Sequence, residues 1–192
     1  MKKQSRWLSL AGGKVDFVKK PRVPICGILT RGTYLEHFFL FWVDIDPIDI
    51  TKNIIEQINN ESWYNNSIIQ GFWFHGLTIA GFGIIDLNKL QNEYNKPVIS
   101  LTDEPPDSLS IKKALLSKLK DGRIRWELLQ NNSSNPVSLK KFIPDCNLWI
   151  TCNNISLPES INTLKNQRVY GCLPEGLRMV RIIAQNIDSL IN

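Results

Sequence analysis

The feature that most constrains this sequence is an almost continuous apolar run from Ser67 to Phe74, which ends at His75-Gly76. The run has the length of a β-strand, and its apolar character predicts a strand buried at the centre of a sheet rather than at an edge. The rest of the chain of 192 residues must then supply the neighbouring strands and the helices that cover them.

The predicted elements around this strand follow a clear order. Three strand-like segments precede it, at 7–10, 24–30 and 36–45. Apolar residues at positions 50, 54, 55 and 58 then have the spacing of an amphipathic helix that Asp49 can cap. Among the later segments, helices are predicted at 86–95, 108–120 and 175–191, and another begins at Pro158 with Ser156 as its cap. Strands are predicted at 97–101, 123–129 and 148–151. Residues 130–147 are predicted as a long loop.

Three strands followed by helix, strand, helix, strand and helix is the element order of a ribonuclease H-like α/β fold. In that fold a mixed five-stranded sheet is flanked by helices. Other α/β folds begin in the same way, and a fold does not determine a function. Because no internal repeat emerges, we interpret residues 1–192 as a single ribonuclease H-like domain with a basic N-terminal segment at 1–31.

The positive charge of the chain is concentrated at its beginning. The net charge is +5, but residues 1–31 carry eight lysines and arginines against one aspartate, which gives +7 there and −2 in the remainder. Such a block suits a polyanion such as nucleic acid, or an acidic partner, although many solvated termini look similar. The candidate phosphate-binding residues are Lys14, Lys19, Lys20, Arg22 and Arg31.

The apolar runs and the cysteine spacing of the sequence exclude several classes of protein. The longest apolar run, Phe38 to Val43, has six residues, whereas a membrane helix needs about 20. No secretion signal is visible, so we expect a cytoplasmic protein with no membrane partner. The four cysteines lack the spacing of a zinc site or a disulfide framework, and we predict reduced, mostly buried thiols.

His75 is the residue best placed for chemistry, because α/β proteins bind ligands at the carboxyl ends of their central strands. A structural hydrogen-bonding role is the alternative, and His37 in its apolar segment is a weaker candidate. The loop that follows His75 contains Gly76 and Gly81, but it lacks the spacing of a dinucleotide or phosphate-binding motif.

Four blocks of the chain form a distinctive set: Gly76-Leu-Thr-Ile-Ala-Gly-Phe-Gly-Ile-Ile-Asp-Leu-Asn-Lys-Leu, Pro97-Val-Ile-Ser, Pro106-Asp and Pro174-Glu-Gly-Leu-Arg. With these blocks the chain resembles the archaeal-type endonuclease dU family, a remote relative of endonuclease V. The resemblance extends from about Leu8 to the C-terminus. It implies a ribonuclease H-like fold, Mg²⁺-dependent cleavage of DNA that contains a deaminated base, and acidic metal ligands on the first and central strands.

The chain departs from this family at its polar site positions. Ala11 and Gly12 stand where members carry two aspartates, His75 replaces another aspartate, and Arg181 replaces a histidine. Cleavage with two metal ions needs carboxylates that hold the ions about 4 Å apart. Alanine and glycine supply no ligand, and imidazole is a poor ligand for Mg²⁺. Asp16 and Asp86 are candidate replacements, although neither lies at the expected strand end.

Three hypotheses follow. The preferred one is a catalytically degenerate, endonuclease dU-like pseudoenzyme without a cofactor, which binds single-stranded DNA or RNA through its basic segment, or a protein partner. The second is an active endonuclease with a rebuilt site, which uses Mg²⁺ or Mn²⁺ to cleave DNA containing deoxyuridine or deoxyinosine. The third is a scaffold that contacts only protein. The oligomeric state is not predicted.

Overall fold

The computed structural model describes residues 4–16, 18, 21–65, 67–103, 108–132 and 136–187. The strands are β1 (Arg6–Gly12), β2 (Arg22–Arg31), β3 (Tyr34–Asp44), β4 (Gly71–His75), β5 (Thr78–Ile79), β6 (Gly83–Ile84), β7 (Val98–Thr102), β8 (Val137–Ser138) and β9 (Trp149–Asn153). The helices are α1 (Ile50–Asn60), α2 (Leu87–Tyr94), α3 (Ser108–Lys118), α4 (Gly122–Asn132), α5 (Leu157–Gln167) and α6 (Glu175–Asn186).

Seven of these strands form one mixed sheet in the order β3-β2-β1-β4-β7-β9-β8, and β5 and β6 form a separate hairpin. The pairs β1–β4 and β4–β7 are parallel, and the other pairs of the large sheet are antiparallel. The predicted fold class is confirmed, and β4 is the central strand of the sheet. The predicted number of five strands is too small because β9 joins the sheet through β7, and β8 is too short to have a pattern of its own.

The sheet is covered on both faces. Phe72 and Phe74 of β4 pack in a core cluster with the apolar faces of α1, α2 and α4. Trp73 points to the opposite face, where it packs in a second cluster with α5 and α6. The three aromatic side chains are at most 1% exposed, which explains why β4 reads as a nearly continuous apolar run.

The predicted strand at 123–129 is wrong, because these residues lie within α4. Apolar residues at 124, 126 and 128 alternate with polar ones and imitate a strand. The buried face of the helix instead contains Gly122, Arg125, Leu129 and Asn132, which have the spacing of helical turns. Two of these four side chains are polar, so the helical pattern cannot be recognised from hydrophobicity.

The two buried polar side chains of α4 fasten the hairpin β5–β6 to the body of the domain. The guanidinium of Arg125 donates hydrogen bonds to the backbone oxygens of Asp46, Pro47 and Phe82 at 2.6–2.9 Å. The amide of Asn132 donates to the oxygen of Ile85 and accepts a hydrogen bond from the backbone N–H of Leu87. Helix α4 therefore holds the turn of the hairpin at Phe82 and the residues that follow β6.

Two capping predictions are confirmed. The carboxylate of Asp49 accepts a hydrogen bond from the N–H of Lys52 at the start of α1. Ser156 caps α5 in a capping box with Glu159. The described part of the predicted loop 130–147 contains the end of α4, β8 and a 3₁₀ helix, Leu139–Lys141. Among the described residues, no helix has the length and apolar character needed to cross a membrane.

The prediction of four reduced cysteines is wrong for one pair, because the structure joins Cys146 to Cys172 in a disulfide. Their Cα atoms lie 5.4 Å apart, although 26 positions separate them in sequence. The spacing along the chain carries no sign of this pairing, because the fold alone brings the segments before β9 and α6 together. Cys26 and Cys152 take no part in this disulfide, and the thiol of Cys152 forms a hydrogen bond with the hydroxyl of Ser160.

We predict that Arg125→Met lowers the free energy of unfolding by about 3 kcal/mol, because three backbone carbonyls and a carboxylate lose a buried charged donor. Arg123→Met is the matched control, since Arg123 lies on the same helix in an exposed ion pair with Glu127 and should cost less than about 1 kcal/mol. Urea denaturation measures both variants. Equal losses in the two variants would contradict this role of Arg125.

Candidate functional site

A cavity of about 170 Å³ lies at the carboxyl ends of the parallel strands β1 and β4. The strand register places Leu10 beside Phe74, so Ala11 and Gly12 end up at the same edge of the sheet as His75. The altered family positions predicted from sequence are therefore neighbours in space. The residues that carry the argument below are Ala11, Gly12, His75, Gly81, Arg181 and Gln185, all of which line the cavity.

The hairpin β5–β6 forms one wall of the cavity and packs closely on the end of β1. A Cβ atom at position 12 would lie 2.9 Å from Cγ1 of Ile79 and 3.3 Å from the backbone nitrogen of Ala80. Gly81 has a φ of +90°, and a Cβ there would overlap the carboxylate of Asp46. That carboxylate accepts a hydrogen bond from the N–H of Phe82 at 2.6 Å. Glycine at positions 12 and 81 thus allows the hairpin to close on the strand.

The imidazole of His75 is the titratable group of the cavity. Its Nε2 lies 3.1 Å from a carboxylate oxygen of Asp103, which follows β7. This nitrogen is buried, and it has no other hydrogen-bond partner in the part of the chain that the structure describes. Burial lowers the pKa of His75, the positive charge of Arg181 lowers it further, and Asp103 opposes both. The imidazole is therefore mostly neutral at pH 7.

Helix α6 contributes Arg181 and Gln185, which are one turn apart and so project from the same side of the helix. Neither side chain forms a hydrogen bond or an ion pair with another described residue. The family resemblance predicted Arg181 as a residue of the site, whereas Gln185 was not predicted from the sequence. The spacing of four residues from Arg181 is the signal in the sequence that could have identified it.

Among the residues that the structure describes, no carboxylate lines the cavity. In the described ranges, no group of three or more histidine, cysteine, aspartate or glutamate residues could hold a metal ion. Neither candidate replacement lines the cavity: Asp86 caps α2 by accepting the N–H of Lys89, and Asp16 accepts the N–H of Val18. The acidic residues Glu104 and Asp107, which follow β7, lie outside the described residues.

Of the predicted basic residues that the structure describes, Lys14 and Arg22 share one end of the sheet and Arg31 lies at the other. Arg22 and Arg31 occupy the two ends of β2, about 30 Å apart at roughly 3.3 Å per residue. Arg22 lies at the cavity end, where the exposed Lys14 follows Gly13. Arg31 lies at the other end and forms an ion pair with Glu36 at 2.9 Å. Lys19 and Lys20 lie outside the described residues.

Comparison with known proteins places the chain in a family. The family model for endonuclease dU matches residues 3–188. A protein of Thermococcus sibiricus named UPF0215 is 25% identical, with 98% of this chain and 95% of the relative aligned. The related protein of Thermococcus kodakarensis is 27% identical, with 90% and 80% aligned.

Solved structures show the same architecture. A protein of unknown function from Archaeoglobus fulgidus superimposes with a TM-score of 0.83, at 21% identity over 96% of this chain and 98% of the other. Endonuclease V of Ciona intestinalis, solved with DNA that contains an inosine, superimposes with a TM-score of 0.62 at 9% identity over 98% and 88% of the two chains. The chain therefore belongs to the endonuclease dU family and has the ribonuclease H-like fold of endonuclease V.

Proposed function

We propose that this protein binds nucleic acid at the cavity end of its sheet and does not cleave it by a mechanism that depends on two metal ions. The observation that carries the proposal is the composition of the cavity wall. At the carboxyl ends of β1 and β4 the described part of the wall presents an arginine, a histidine and a glutamine, and no carboxylate.

A pair of Mg²⁺ ions does not fit these side chains. Mg²⁺ prefers oxygen ligands, and the strand ends supply the methyl group of Ala11, the hydrogen of Gly12 and the imidazole of His75. The positive charge of Arg181 at the same cavity repels a cation and lowers the pKa of His75. The close approach of Ile79 and Ala80 to position 12 leaves no room for a longer side chain without movement of the hairpin.

Binding of nucleic acid is supported by the cations at this end of the sheet. Lys14 and Arg22 lie there together with Arg181, and lysine and arginine neutralise backbone phosphates. The structure of Ciona endonuclease V with DNA shows that a protein of the same fold accommodates a nucleic acid. We propose single-stranded DNA or RNA as the ligand, with these cations as the contacts to its backbone phosphates.

We predict that the purified protein does not cleave strands containing deoxyuridine or deoxyinosine in the presence of Mg²⁺ or Mn²⁺, even at enzyme excess. The physical reason is the absence of carboxylates that could hold both ions about 4 Å apart. Labelled strands resolved on a denaturing gel provide the measurement. Metal-dependent product that disappears in His75→Ala would contradict the proposal.

A second candidate function is an active endonuclease with a rebuilt site. It is favoured by the distance of 3.1 Å between His75 Nε2 and Asp103, since a carboxylate beside a neutral imidazole can orient it as a general base. In that case Mg²⁺ or Mn²⁺ would be the cofactor, and Asp103→Asn would reduce cleavage together with His75→Ala. The cleavage assay thus decides between the two functions.

We predict that binding of a single-stranded oligonucleotide weakens with salt and that Lys14→Gln reduces the slope of log K against log salt by about 0.7, because each phosphate contact in a single strand releases condensed counterions. Arg31→Gln is the matched control, since Arg31 belongs to the same basic segment but lies at the other end of β2. Fluorescence anisotropy across a salt series measures both slopes. A larger change in Arg31→Gln would contradict the assignment of the cavity end.

We also predict that Arg181→Gln raises the pKa of His75, because removal of the nearby positive charge makes protonation of the imidazole less costly. The chain has two histidines, so their ring resonances can be followed individually by NMR, and His37 provides an internal reference. An unchanged pKa of His75 in the variant would contradict an electrostatic effect of Arg181 on this imidazole.

A further inference from the structure

We infer that Arg181, Gln185 and His75 form a site for one phosphate group that requires no metal ion. This inference rests on the proposed function and adds the chemistry of the ligand and the residues that hold it. The site occupies the place where the family resemblance leads us to expect carboxylates and metal ions. The site therefore carries a positive charge where negative charges are expected, and a phosphate can bind there without a metal ion between it and the protein.

Arg181 provides the main argument. Its side chain is partly buried at the cavity wall and has no hydrogen bond or ion pair with any residue in the described ranges. Its nitrogen atoms are not among the buried atoms that lack a partner, so the guanidinium faces solvent and is available to an anion. The neighbouring Arg178 shows the ordinary arrangement on the same helix, since it forms two hydrogen bonds with Glu175.

Two neutral side chains flank this cation. Gln185 lies one turn further along α6 and lines the same cavity, where its exposed amide can donate to a ligand. His75 lines the cavity from the strand end, and its buried Nε2 lies 3.1 Å from the carboxylate of Asp103. The cavity therefore presents one cation and two neutral polar side chains to a ligand.

The shape and charge of the cavity favour a phosphate. A volume of about 170 Å³ far exceeds the space that a single water molecule requires. The planar guanidinium can donate two parallel hydrogen bonds to two oxygens of one phosphate group. The opposing charge is Asp103, whose side chain is 64% exposed and lies beside His75 rather than in the cavity wall. It weakens the attraction for an anion without cancelling it.

The test is a titration of the full-length protein with inorganic phosphate in EDTA, followed by isothermal calorimetry and by the melting temperature. We expect saturable binding that raises the melting temperature, because a ligand selective for the folded state stabilises it. Arg181→Gln should weaken the affinity about tenfold or more, which is typical of the loss of a charge-assisted hydrogen bond. Arg123→Gln, which removes the same charge from an exposed position, should leave the affinity unchanged.

Asp103→Asn provides a test in the opposite direction, since removal of the opposing carboxylate should strengthen phosphate binding a few-fold. A gain of affinity cannot result from a damaged fold, so this variant keeps the inference testable if Arg181→Gln is unstable. Oligonucleotides with and without a 5′-phosphate then distinguish the source. Binding that needs the 5′-phosphate identifies a strand end, and binding that does not identifies a backbone phosphate.

The inference is overturned if phosphate has no effect in EDTA, if Mg²⁺ is needed for binding, or if Arg181→Gln binds phosphate as the unaltered protein does. Oligonucleotide binding without phosphate binding would overturn this inference and leave the proposed function standing. Phosphate binding without oligonucleotide binding would support the site and refute the proposed function.

Discussion

The parallel pairing of β1 with β4 is the constraint on which the rest of the structure depends. Both strands are buried on both faces of the sheet, so a shift of one residue would exchange the two apolar clusters. The register of β1 against β4 is therefore fixed by the packing of apolar side chains and does not depend on the identity of the polar residues at the strand ends. It brings Ala11 and His75 to one edge of the sheet, and α6, packed over β1 and β2, adds Arg181. The framework of the family site survives because the core maintains it.

The proposed function depends on the sign of the charge at this site. Carboxylates on two adjacent strand ends would repel one another, and bound metal ions would relieve that repulsion. Here the described wall of the cavity carries a guanidinium and a mostly neutral imidazole, and the hairpin β5–β6 approaches the end of β1 closely. On the proposal made above, such a cavity attracts an anion rather than a cation.

The sequence predicts the parts of the fold that depend on hydrophobic pattern and local capping. The central strand β4 and the caps of α1 and α5 were all predicted in this way. Helix α4 was missed because Arg125 and Asn132 occupy its buried face, and polar residues conceal a helical pattern. The four altered family positions at the cavity were predicted from the resemblance. The nucleic-acid-binding role of the basic segment stays a prediction, and a count of charges along the chain cannot show that β2 carries Arg22 and Arg31 to opposite ends. The pairing of Cys146 with Cys172 likewise depends on contacts between distant segments.

The central claim is that this cavity accepts an anion and not a divalent cation. A titration with Mn²⁺ followed by NMR tests it most directly, because a bound paramagnetic ion broadens only the resonances of nearby nuclei. The account predicts that the signals of His75 and Gly12 broaden no more than those of His37, which lies on β3, the edge strand at one end of the sheet. Selective, saturable broadening of His75 and Gly12 would place a metal ion in the cavity and contradict the account.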